Sequence, residues 1–391
     1  MDKKTVRDVD LKGKRVIMRA DFNVPLDGDV ITNDTRIKAA LPTIKYILEQ
    51  GASLILMSHL GRPGGEIKPE MSLAPVADRL SELLDQPVTM APDTVGSEVK
   101  ALADEMEPGD VMLLENTRFH AGEKKNDLDY AKKMADMADI FVNDAFGTAH
   151  RAHASTVGVT KYLPAVSGFL IEKEMKFLGR AAENPDHPYV VLLGGAKVSD
   201  KLATMRNILD RGADTMLIGG GIANTFLKTM GYEVGDSLVE DDMLEEAKEL
   251  LEENTGKIVL PVDVVVGDAF SNDANHKVVP IDGVEPGWSI YDIGPKTVEL
   301  YKGKLEEAEM VAWGGPMGVF EMPNFAKGTF AIAEILAEID AVTLVGGGES
   351  GAAVEAAGAA DKVSHVSTGG GASLRLLEGR ELPGLEALDN K

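Results

Sequence analysis

The chain has 391 residues, of which 64 are Asp or Glu and 40 are Lys or Arg, so its formal net charge is −24 at pH 7. This acidity argues against nucleic acid or an anionic membrane as the main partner. Cys is absent, which excludes disulfides, a thiolate nucleophile and a Cys-ligated metal. The first residues lack the apolar core of a signal peptide, and no apolar run reaches the ~18 residues of a membrane span, so we expect a cytoplasmic protein without a membrane partner.

Apolar runs rich in Val, Ile and Leu alternate with amphipathic stretches along the whole chain, which is the pattern of buried parallel strands connected by helices. Strands are predicted at 15–20, 53–58, 111–116, 140–144, 189–195, 215–221, 258–263, 310–315, 342–348 and 363–368. Helices are predicted between them, for example at 42–50 and 245–254. We therefore predict an α/β fold with two doubly wound, Rossmann-like parallel sheets.

The chain is too long for one ordinary domain, and the predicted strands are too many for one sheet. Apolar residues recur at helical spacing near the middle of the chain, before two prolines: Ile171, Met175, Leu178 and Ala182. We therefore predict an interdomain helix that acts as a hinge. The expected divisions are an N-terminal domain at 1–170, the helix and hinge at 171–188, and a C-terminal domain at 189–379.

Polar and basic residues follow the strands of the first half. In open α/β sheets, ligands bind beyond the carboxyl ends of the strands. The residues that follow the first four predicted strands include Asp21, Asn23, Arg36, His59, Arg62, Arg118, His120, His150, Arg151 and His153. Arg side chains bind carboxylate and phosphate oxygens in two-point contacts, so this edge is predicted to hold a small polyanion. The alternative is a solvated rim paired with nearby Asp and Glu.

Glycine clusters follow the strands of the second half, at 194–195, 219–221, 314–315, 346–348 and 369–371. Glycine lets backbone N–H groups approach an anion, so the series predicts a nucleotide-phosphate site, although each cluster alone is also typical of a tight turn. Residues 346–351 fit G-x-G-x-x-G, which alone is weak evidence for a dinucleotide site. On a helix predicted to begin after Gly195, Lys197 and Lys201 would share a face and reach phosphate oxygens.

A polyanion site in one domain and a nucleotide site in the other, joined by a hinge, favour phosphoryl transfer in which closure excludes water. The segment 142–156, VNDAFGTAHRAHAST, then has four interpretations: a metal site, a catalytic base, an anion pocket and a solvated loop. No H-E-x-x-H motif supports zinc, and a carboxylate acceptor needs no base at pH 7. Anion binding is favoured, with Arg151 as the charge and His150 as a donor, while His153 is as consistent with a structural role.

These motifs resemble the phosphoglycerate kinase family, in a bacterial form. The match runs from RVIMRADFNVP (15–25) to STGGGASLRLLEGRELPG (367–384), through MSHLGRP, LLENTRFH, VNDAFGTAHRAHAST, LGGAKVSDK, IGGGIANTFLK, PVDVVV, DIGPKTVELY and GPMGVFE. The resemblance implies transfer of phosphate between ATP or ADP and 3-phosphoglycerate, with Mg²⁺, in a monomeric hinge enzyme of glycolysis. It also implies that residues 380–391 return to the N-terminal domain.

The resemblance also implies roles for individual residues. The implied 3-phosphoglycerate site contains Asp21, Asn23, Arg36, His59, Arg62, Arg118, His150 and Arg151. The implied catalytic groups are Arg36, Lys197 and Gly370. The implied nucleotide site contains Lys197, Lys201, Gly219, Gly220, Leu238, Val319, Glu321, Gly347, Gly348, Glu349 and Ser350. The helix start that meets the moving phosphate is implied at Gly369, Gly370 and Gly371.

Two positions depart from the pattern of the family, and both are on the nucleotide side. Gly314 stands where W-N-G-P has Asn, and Glu349 stands where G-G-G-D-[ST] has Asp. Glu349 keeps the carboxylate expected to serve Mg²⁺ but adds a methylene, and Mg²⁺ demands near-octahedral geometry. We expect Glu349 still to serve the metal.

Two other functions compete with this one. A binding protein could hold nucleotide or phosphoglycerate without turnover, which only Gly314 and Glu349 support. An NAD-dependent oxidoreductase rests on G-x-G-x-x-G alone.

Overall fold

The structure is a computed structural model that describes residues 2–391. The chain forms two compact units, one with the residues up to Lys176 together with Glu381–Lys391, and the other with Phe177–Arg380. Each unit has its own apolar core and its own parallel sheet. The predicted α/β class with two parallel sheets is therefore confirmed.

The first unit is built on a six-stranded parallel sheet with the order β5-β6-β4-β1-β7-β8, and β2 and β3 form a separate antiparallel hairpin. Its strands are β1 (Arg15–Arg19), β2 (Leu26–Asp27), β3 (Val30–Ile31), β4 (Ser53–Met57), β5 (Val88–Met90), β6 (Val111–Leu113), β7 (Ile140–Asn143) and β8 (Ala165–Ser167). The central strands are buried on both faces, which explains their nearly continuous apolar sequence.

Helices connect these strands. They are α1 (Thr35–Glu49), α2 (Ala74–Leu84), α3 (Ser97–Asp104), α4 (Ala121–Lys124), α5 (Leu128–Ala135) and α6 (Phe169–Glu174). Short 3₁₀ turns lie at Val6–Asp8, Pro69–Met71, Thr117–Phe119, Phe146–Thr148 and Gly158–Lys161. The helix α1 buries one apolar face, including Ile37, Ile44 and Ile47, in the core formed with the sheet.

The second unit has a six-stranded parallel sheet, with the order β11-β10-β9-β15-β16-β17, and a three-stranded antiparallel sheet, with the order β13-β12-β14. Its strands are β9 (Tyr189–Leu193), β10 (Thr215–Ile218), β11 (Ile258–Val259), β12 (Asp263–Gly267), β13 (His276–Pro280), β14 (Ser289–Ile293), β15 (Met310–Gly314), β16 (Val342–Val345) and β17 (His365–Val366). The predicted single strand at 258–263 is wrong, because the chain divides there into β11 and β12, which join different sheets.

The helices of the second unit follow its strands. They are α7 (Arg180–Glu183), α8 (Leu202–Asp210), α9 (Gly220–Thr229), α10 (Leu244–Glu253), α11 (Pro295–Glu306), α12 (Lys327–Glu338), α13 (Glu349–Ala356) and α14 (Gly370–Leu377). Its 3₁₀ turns lie at Asp241–Met243, Ile281–Gly283 and Pro323–Phe325. Between α6 and α7 the chain forms a π-helix at Met175–Gly179, so the helical segment predicted near 171–182 is present and carries a π turn.

The last segment contains α15 (Pro383–Glu386) and packs within the first unit. Lys4 N donates to Asp389 O at 2.9 Å, and Asp389 N donates to Ala165 O at 2.9 Å. Asn143 Nδ2 at the end of β7 donates to Gly384 O at 3.0 Å. None of the helices within residues 2–391 has the length and apolar character that a membrane span requires.

Candidate active site

The basic residues predicted for the first unit follow strands that are neighbours in its sheet. The strand β1 pairs with β4 on one side and β7 on the other, and β4 pairs with β6, all in parallel. The chain leaving β4 carries His59, the 3₁₀ turn after β6 carries Arg118, and the segment after β7 carries Arg151. The sheet therefore brings three separate parts of the chain to one edge, as predicted.

The charges of this edge act on His59, which is only 5% exposed. Burial, followed by the positive charges of Arg19, Arg118, Arg36 and Arg151, lowers the pKa of His59 well below its ordinary value. His59 is therefore neutral at physiological pH, although it lies among cations. The four Arg form one electrostatic cluster, which we call the Arg cluster.

The loop after β1 holds Arg36 in this cluster. Arg36 Nη1 donates to Asn23 O at 2.8 Å and lies 3.5 Å from Asp21 Oδ2. Asn23 Oδ1 accepts from Gly61 N at 2.8 Å, which ties this loop to the loop after β4. These contacts bring together Asp21, Asn23 and Arg36, all predicted site residues.

Arg118 is held by the loop after β4. Its Nη1 donates to Gly61 O at 2.8 Å, and Asn116 Nδ2 donates to Leu60 O at 2.7 Å. Burial and the positive charges of Arg19 and Arg151 lower the pKa of Arg118 to about 10, so it remains charged at neutral pH. A buried guanidinium that retains its charge is a ready partner for a phosphate or carboxylate.

The segment 148–156 places His150 and Arg151 beside each other, with Arg151 Nε donating to His150 Nε2 at 3.0 Å. His153 is buried instead, with Nδ1 3.7 Å from Glu123 Oε1, so it belongs to the interior. Arg62 is exposed on the loop after β4.

Arg19 is a member of the Arg cluster that the sequence did not single out, and two further interior residues, Ser155 and Glu123, support it. Arg19, fully buried at the end of β1, donates from Nε to Ser155 Oγ at 2.9 Å. Ser155 Oγ donates to Glu123 Oε1 at 2.6 Å, and Ser155 N donates to Glu123 Oε2 at 3.0 Å. Arg19 lies in the apolar sequence of β1, and its charge is the only feature that distinguishes it from its neighbours in that strand.

The second unit contains a cavity of about 520 Å³ at the carboxyl ends of its strands. Five predicted nucleotide residues line it: Gly220, Leu238, Val319, Glu321 and Glu349. Exposed Phe270 and the ring of Tyr291 add aromatic surface to the wall, and their ring centroids are 5.6 Å apart. A largely apolar cavity with a few carboxylates is suited to a nucleoside.

Asp292 is a further cavity residue that the sequence did not single out. Its Oδ2 accepts from Gly328 N at 2.7 Å, at the start of α12. Burial raises the pKa of Asp292 to about 8, so the carboxyl is mostly protonated at neutral pH.

A glycine allows close contact between the loop after β9 and the start of α9. Gly220 has φ +62° at the start of α9, and a Cβ there would lie 2.7 Å from Gly195 O. Ile222 N donates to the same carbonyl at 3.1 Å. Only glycine fits where the loop after β9 meets α9.

The helix predicted to begin after Gly195 is wrong, because α8 begins only at Leu202. Lys197 is exposed in an irregular loop, and Lys201 precedes α8, so the two do not share a helix face. The positive φ of Gly195, +113°, holds the start of the loop away from helical geometry. Burial lowers the pKa of Lys201, while the negative charge of Glu349 opposes this.

Two helix N-termini that follow glycine clusters lie beside each other in this unit. The helix α13 begins at Glu349 and α14 at Gly370, and a Cβ at Gly370 would lie 3.5 Å from Gly347 O. Ser350 Oγ accepts from Gly315 N at 2.6 Å, which ties α13 to the loop after β15. Helix N-termini carry partial positive charge and bind phosphates.

The predicted residues Gly348, Gly369 and Gly371 belong to these helix starts, and Gly219 caps α9; none of them lines the cavity. Lys197 and Lys201 also lie outside its wall. The cavity and the helix starts are thus neighbouring parts of the carboxyl edge.

The site fits magnesium carried by a nucleotide. Within residues 2–391 no three His, Asp or Glu side chains converge to hold a metal alone. Mg²⁺ commonly binds through one or two carboxylates together with substrate phosphates. Glu349 is an exposed carboxylate on the cavity wall at the start of α13, which suits this mode.

Comparison with known proteins agrees with this geometry. The family model for phosphoglycerate kinase matches residues 6–380. The chain belongs to the phosphoglycerate kinase family. The phosphoglycerate kinases of Thermosipho africanus and Moorella thermoacetica are 58% and 54% identical to it, and each match spans 100% of this chain and at least 99% of the relative. The predicted activity, transfer of phosphate between ATP and phosphoglycerate, is that of this glycolytic family.

Solved structures give the same result. Phosphoglycerate kinase from Coxiella burnetii superposes with a TM-score of 0.88 at 44% identity, covering 98% of both chains. Phosphoglycerate kinase from Pyrococcus horikoshii superposes with a TM-score of 0.87 at 36% identity, again over 98% of both chains. The fold of the phosphoglycerate kinase family therefore extends over nearly the whole chain.

Proposed function

We propose that the chain catalyses reversible phosphoryl transfer between ATP and the carboxyl group of 3-phosphoglycerate, giving ADP and 1,3-bisphosphoglycerate. The observation that carries this proposal is the Arg cluster around neutral His59 at the carboxyl edge of the first sheet. The acceptor carries a carboxylate and a phosphate, and Arg side chains match both.

The acceptor side uses the residues that the first sheet brings together. Arg62, Arg118 and Arg151 bind the phosphate of 3-phosphoglycerate with His150 beside them, and Arg36 faces the carboxyl end. Asp21 and Asn23 position the remainder of the acceptor. The support is the hydrogen-bonded contact of Arg36 with Asn23 and the retained charge of Arg118.

The donor side uses the cavity and the helix starts of the second unit. Gly220, Leu238 and Val319 form the wall of the adenine pocket, Gly219 supports it from the start of α9, and the Glu321 carboxylate accepts from the ribose hydroxyls. The nucleotide phosphates meet Lys197, Lys201 and the N-termini of α13 and α14, which carry the residues Gly347, Gly348, Glu349, Ser350, Gly369, Gly370 and Gly371. Glu349, together with the nucleotide phosphates, would hold Mg²⁺, which would supply positive charge to offset that of the phosphates.

Transfer proceeds in line and directly, after the two domains close about the segment at 171–188. Closure is required because reacting atoms must approach to roughly 3–3.5 Å, and it also excludes water. Arg36, Lys197 and the Gly370 N–H stabilise charge on the moving phosphoryl group. No general base is needed, since the acceptor carboxylate is already ionised. We also propose that the protein is a cytoplasmic monomer.

The test replaces Arg36. Arg36→Ala lowers kcat by about 10²–10³-fold, because it removes one charge-stabilising group, while the Kd for ATP stays the same. Lys38→Ala is the matched control, since Lys38 lies on the same helix and pairs with Asp34 at 2.8 Å. Steady-state kinetics and calorimetry measure both quantities, and unchanged kcat in Arg36→Ala would remove this residue from the mechanism.

The same samples test the competing functions. A binding protein would give heats of binding for ATP and 3-phosphoglycerate without product in any variant. An oxidoreductase would bind NADH, and we expect no such binding because the helix start at 346–351 is assigned here to ATP phosphates.

A further inference from the structure

Arg19, the fully buried member of the Arg cluster, forms a buried pair with His59. Arg19 is 0% exposed and His59 is 5% exposed, and Arg19 Nη2 lies 3.1 Å from His59 Nδ1. A guanidinium has only donors, so the hydrogen bond requires Nδ1 to accept. An accepting Nδ1 carries no proton, which leaves Nε2 as the protonated nitrogen of the ring.

The other bonds of Arg19 fix this direction. Nε donates to Ser155 Oγ at 2.9 Å, and Nη1 donates to Ala20 O. Ser155 in turn donates to Glu123, whose carboxylate is buried and balances the charge of Arg19. The donor of each hydrogen bond in the series from Arg19 through Ser155 to Glu123 is thereby determined. The Nη2–H of Arg19 is left to donate to His59.

The surrounding charges act against a second proton on the ring. Arg19, Arg118, Arg36 and Arg151 repel an imidazolium at this position, and burial adds to the effect. Glu123 and Asp21 are the acidic groups whose charges act on both Arg19 and Arg118. The four positive charges outnumber these two negative ones, so the neutral ring is favoured.

We propose that Arg19 holds His59 in the neutral Nε2–H tautomer, so that His59 acts on phosphoglycerate as a hydrogen-bond donor and neither as a cation nor as a general base. Arg19 is thus a positioning residue, and Ser155 and Glu123 support it. This inference rests on the proposed function for the identity of the ligand. The tautomer itself is a property of the free protein.

The tautomer is measured by long-range ¹H–¹⁵N correlation NMR on the full-length protein, which has only 7 His. The signals of His59 are assigned by their loss in His59→Gln. We expect a neutral Nε2–H ring throughout the range from about pH 6 to about pH 8, in which an ordinary His, with a pKa of about 6.5, titrates. A protonated ring at pH 7, or an Nδ1–H tautomer, would overturn the proposal.

The role of Arg19 is tested in Arg19→Met. Without the charge and the hydrogen bond of Arg19, the proton of His59 should no longer be confined to Nε2, and the pKa of His59 should move toward the ordinary value. A folded Arg19→Met with an unchanged His59 spectrum would contradict the role of Arg19. Arg19→Met leaves Glu123 buried without its counter-charge, so the single variant can fail to fold. In that case the double variant Arg19→Met/Glu123→Gln takes its place, with the same expected and contradicting spectra of His59.

Two variants of His59 test its role as a hydrogen-bond donor. Gln places an amide N–H near the position of Nε2, and Asn places one near Nδ1. We expect His59→Asn to raise KM for 3-phosphoglycerate about 10- to 100-fold, the worth of a hydrogen bond to a charged group, and His59→Gln to raise it much less. Equal losses in both would contradict the donor role. A wild type without turnover would contradict the proposed function instead, and the NMR result would still decide the tautomer.

Discussion

Buried charges behind the acceptor site are compensated one by one at the level of single residues. Burial opposes the ionisation of Glu123, but the contact with His153, the charge of Arg19 and the hydrogen bond from Ser155 outweigh it and lower its pKa below the ordinary value. Such a carboxylate stabilises the fold above the pKa of the unfolded state, and that stability is lost as the pH falls through the folded pKa.

Glu123→Gln tests this compensation. The change leaves Arg19 buried without its counter-charge, so the free energy of unfolding should fall by about 3–5 kcal/mol at pH 7. Urea unfolding measures it. Glu253→Gln is the control, because Glu253 pairs with Arg206 on the surface and the change should cost about 1 kcal/mol or less. A Glu123→Gln variant as stable as this control would contradict the account.

Asp144 shows the opposite case. Its Oδ1 accepts from Leu170 N at 2.8 Å at the start of α6, but burial raises its pKa from 3.8 to about 7. A raised carboxyl pKa favours the protonated folded state, so its contribution to stability is complete below the unfolded pKa and is lost as the pH rises toward 7.

Asp144→Asn keeps the accepting oxygen and cannot ionise. Relative to wild type, the variant should gain stability between about pH 4 and pH 7, by up to about 4 kcal/mol for a shift of about three pKa units. Chemical unfolding at several pH values measures the difference. Exposed Asp210, changed to Asn, should show no such trend, and a pH-independent difference for Asp144→Asn would refute the buried ionisable carboxyl.

At the scale of elements, the donor site depends on contacts between strand-end loops. Gly220→Ala places a Cβ 2.7 Å from Gly195 O at a positive φ, so the loop after β9 must move. We expect a loss of about 1–3 kcal/mol in stability and a higher KM for ATP. Gly303→Ala, in the exposed interior of α11 with open space around it, should instead stabilise by about 0.5–1 kcal/mol. Equal KM values in the two variants would contradict the role of the loop contact.

The parallel strands could be predicted because burial on both faces makes their sequences continuously apolar, as in Ser53–Met57. The antiparallel sheet could not. The sequence of its strand β13, HKVVP, does not alternate apolar and polar residues, because exposed Val278 adjoins buried Val279. The strand β12 follows Pro261 directly after another strand. The hairpin of β2 and β3 has only two residues in each strand, which is too short for any periodicity.

The candidate site was predictable where chemistry follows a strand, as for His59 and Arg118. Arg19 was missed because it lies inside an apolar strand, and its function depends on tertiary contacts with Ser155 and Glu123. The shared helix face of Lys197 and Lys201 was wrong because positive φ at Gly195 and a loop up to α8 replace the expected helix. Local spacing could not anticipate either result.

At the scale of the whole molecule, a chain of net charge −24 gathers four Arg at one edge of one unit, while the other unit presents helix N-termini and an apolar cavity. Each unit has a complete core, so each site can form without the other. We therefore propose that the separate units bind the two substrates and that turnover requires the units to close.

The most direct test is ATP-dependent phosphorylation of 3-phosphoglycerate by the full chain with Mg²⁺, coupled to reductive removal of the product, beside Glu349→Asp. We predict turnover in the wild type, with Glu349 serving the metal in place of the Asp that the resemblance leads us to expect. Binding of both substrates by calorimetry without product in either protein would contradict the account and favour a binding protein.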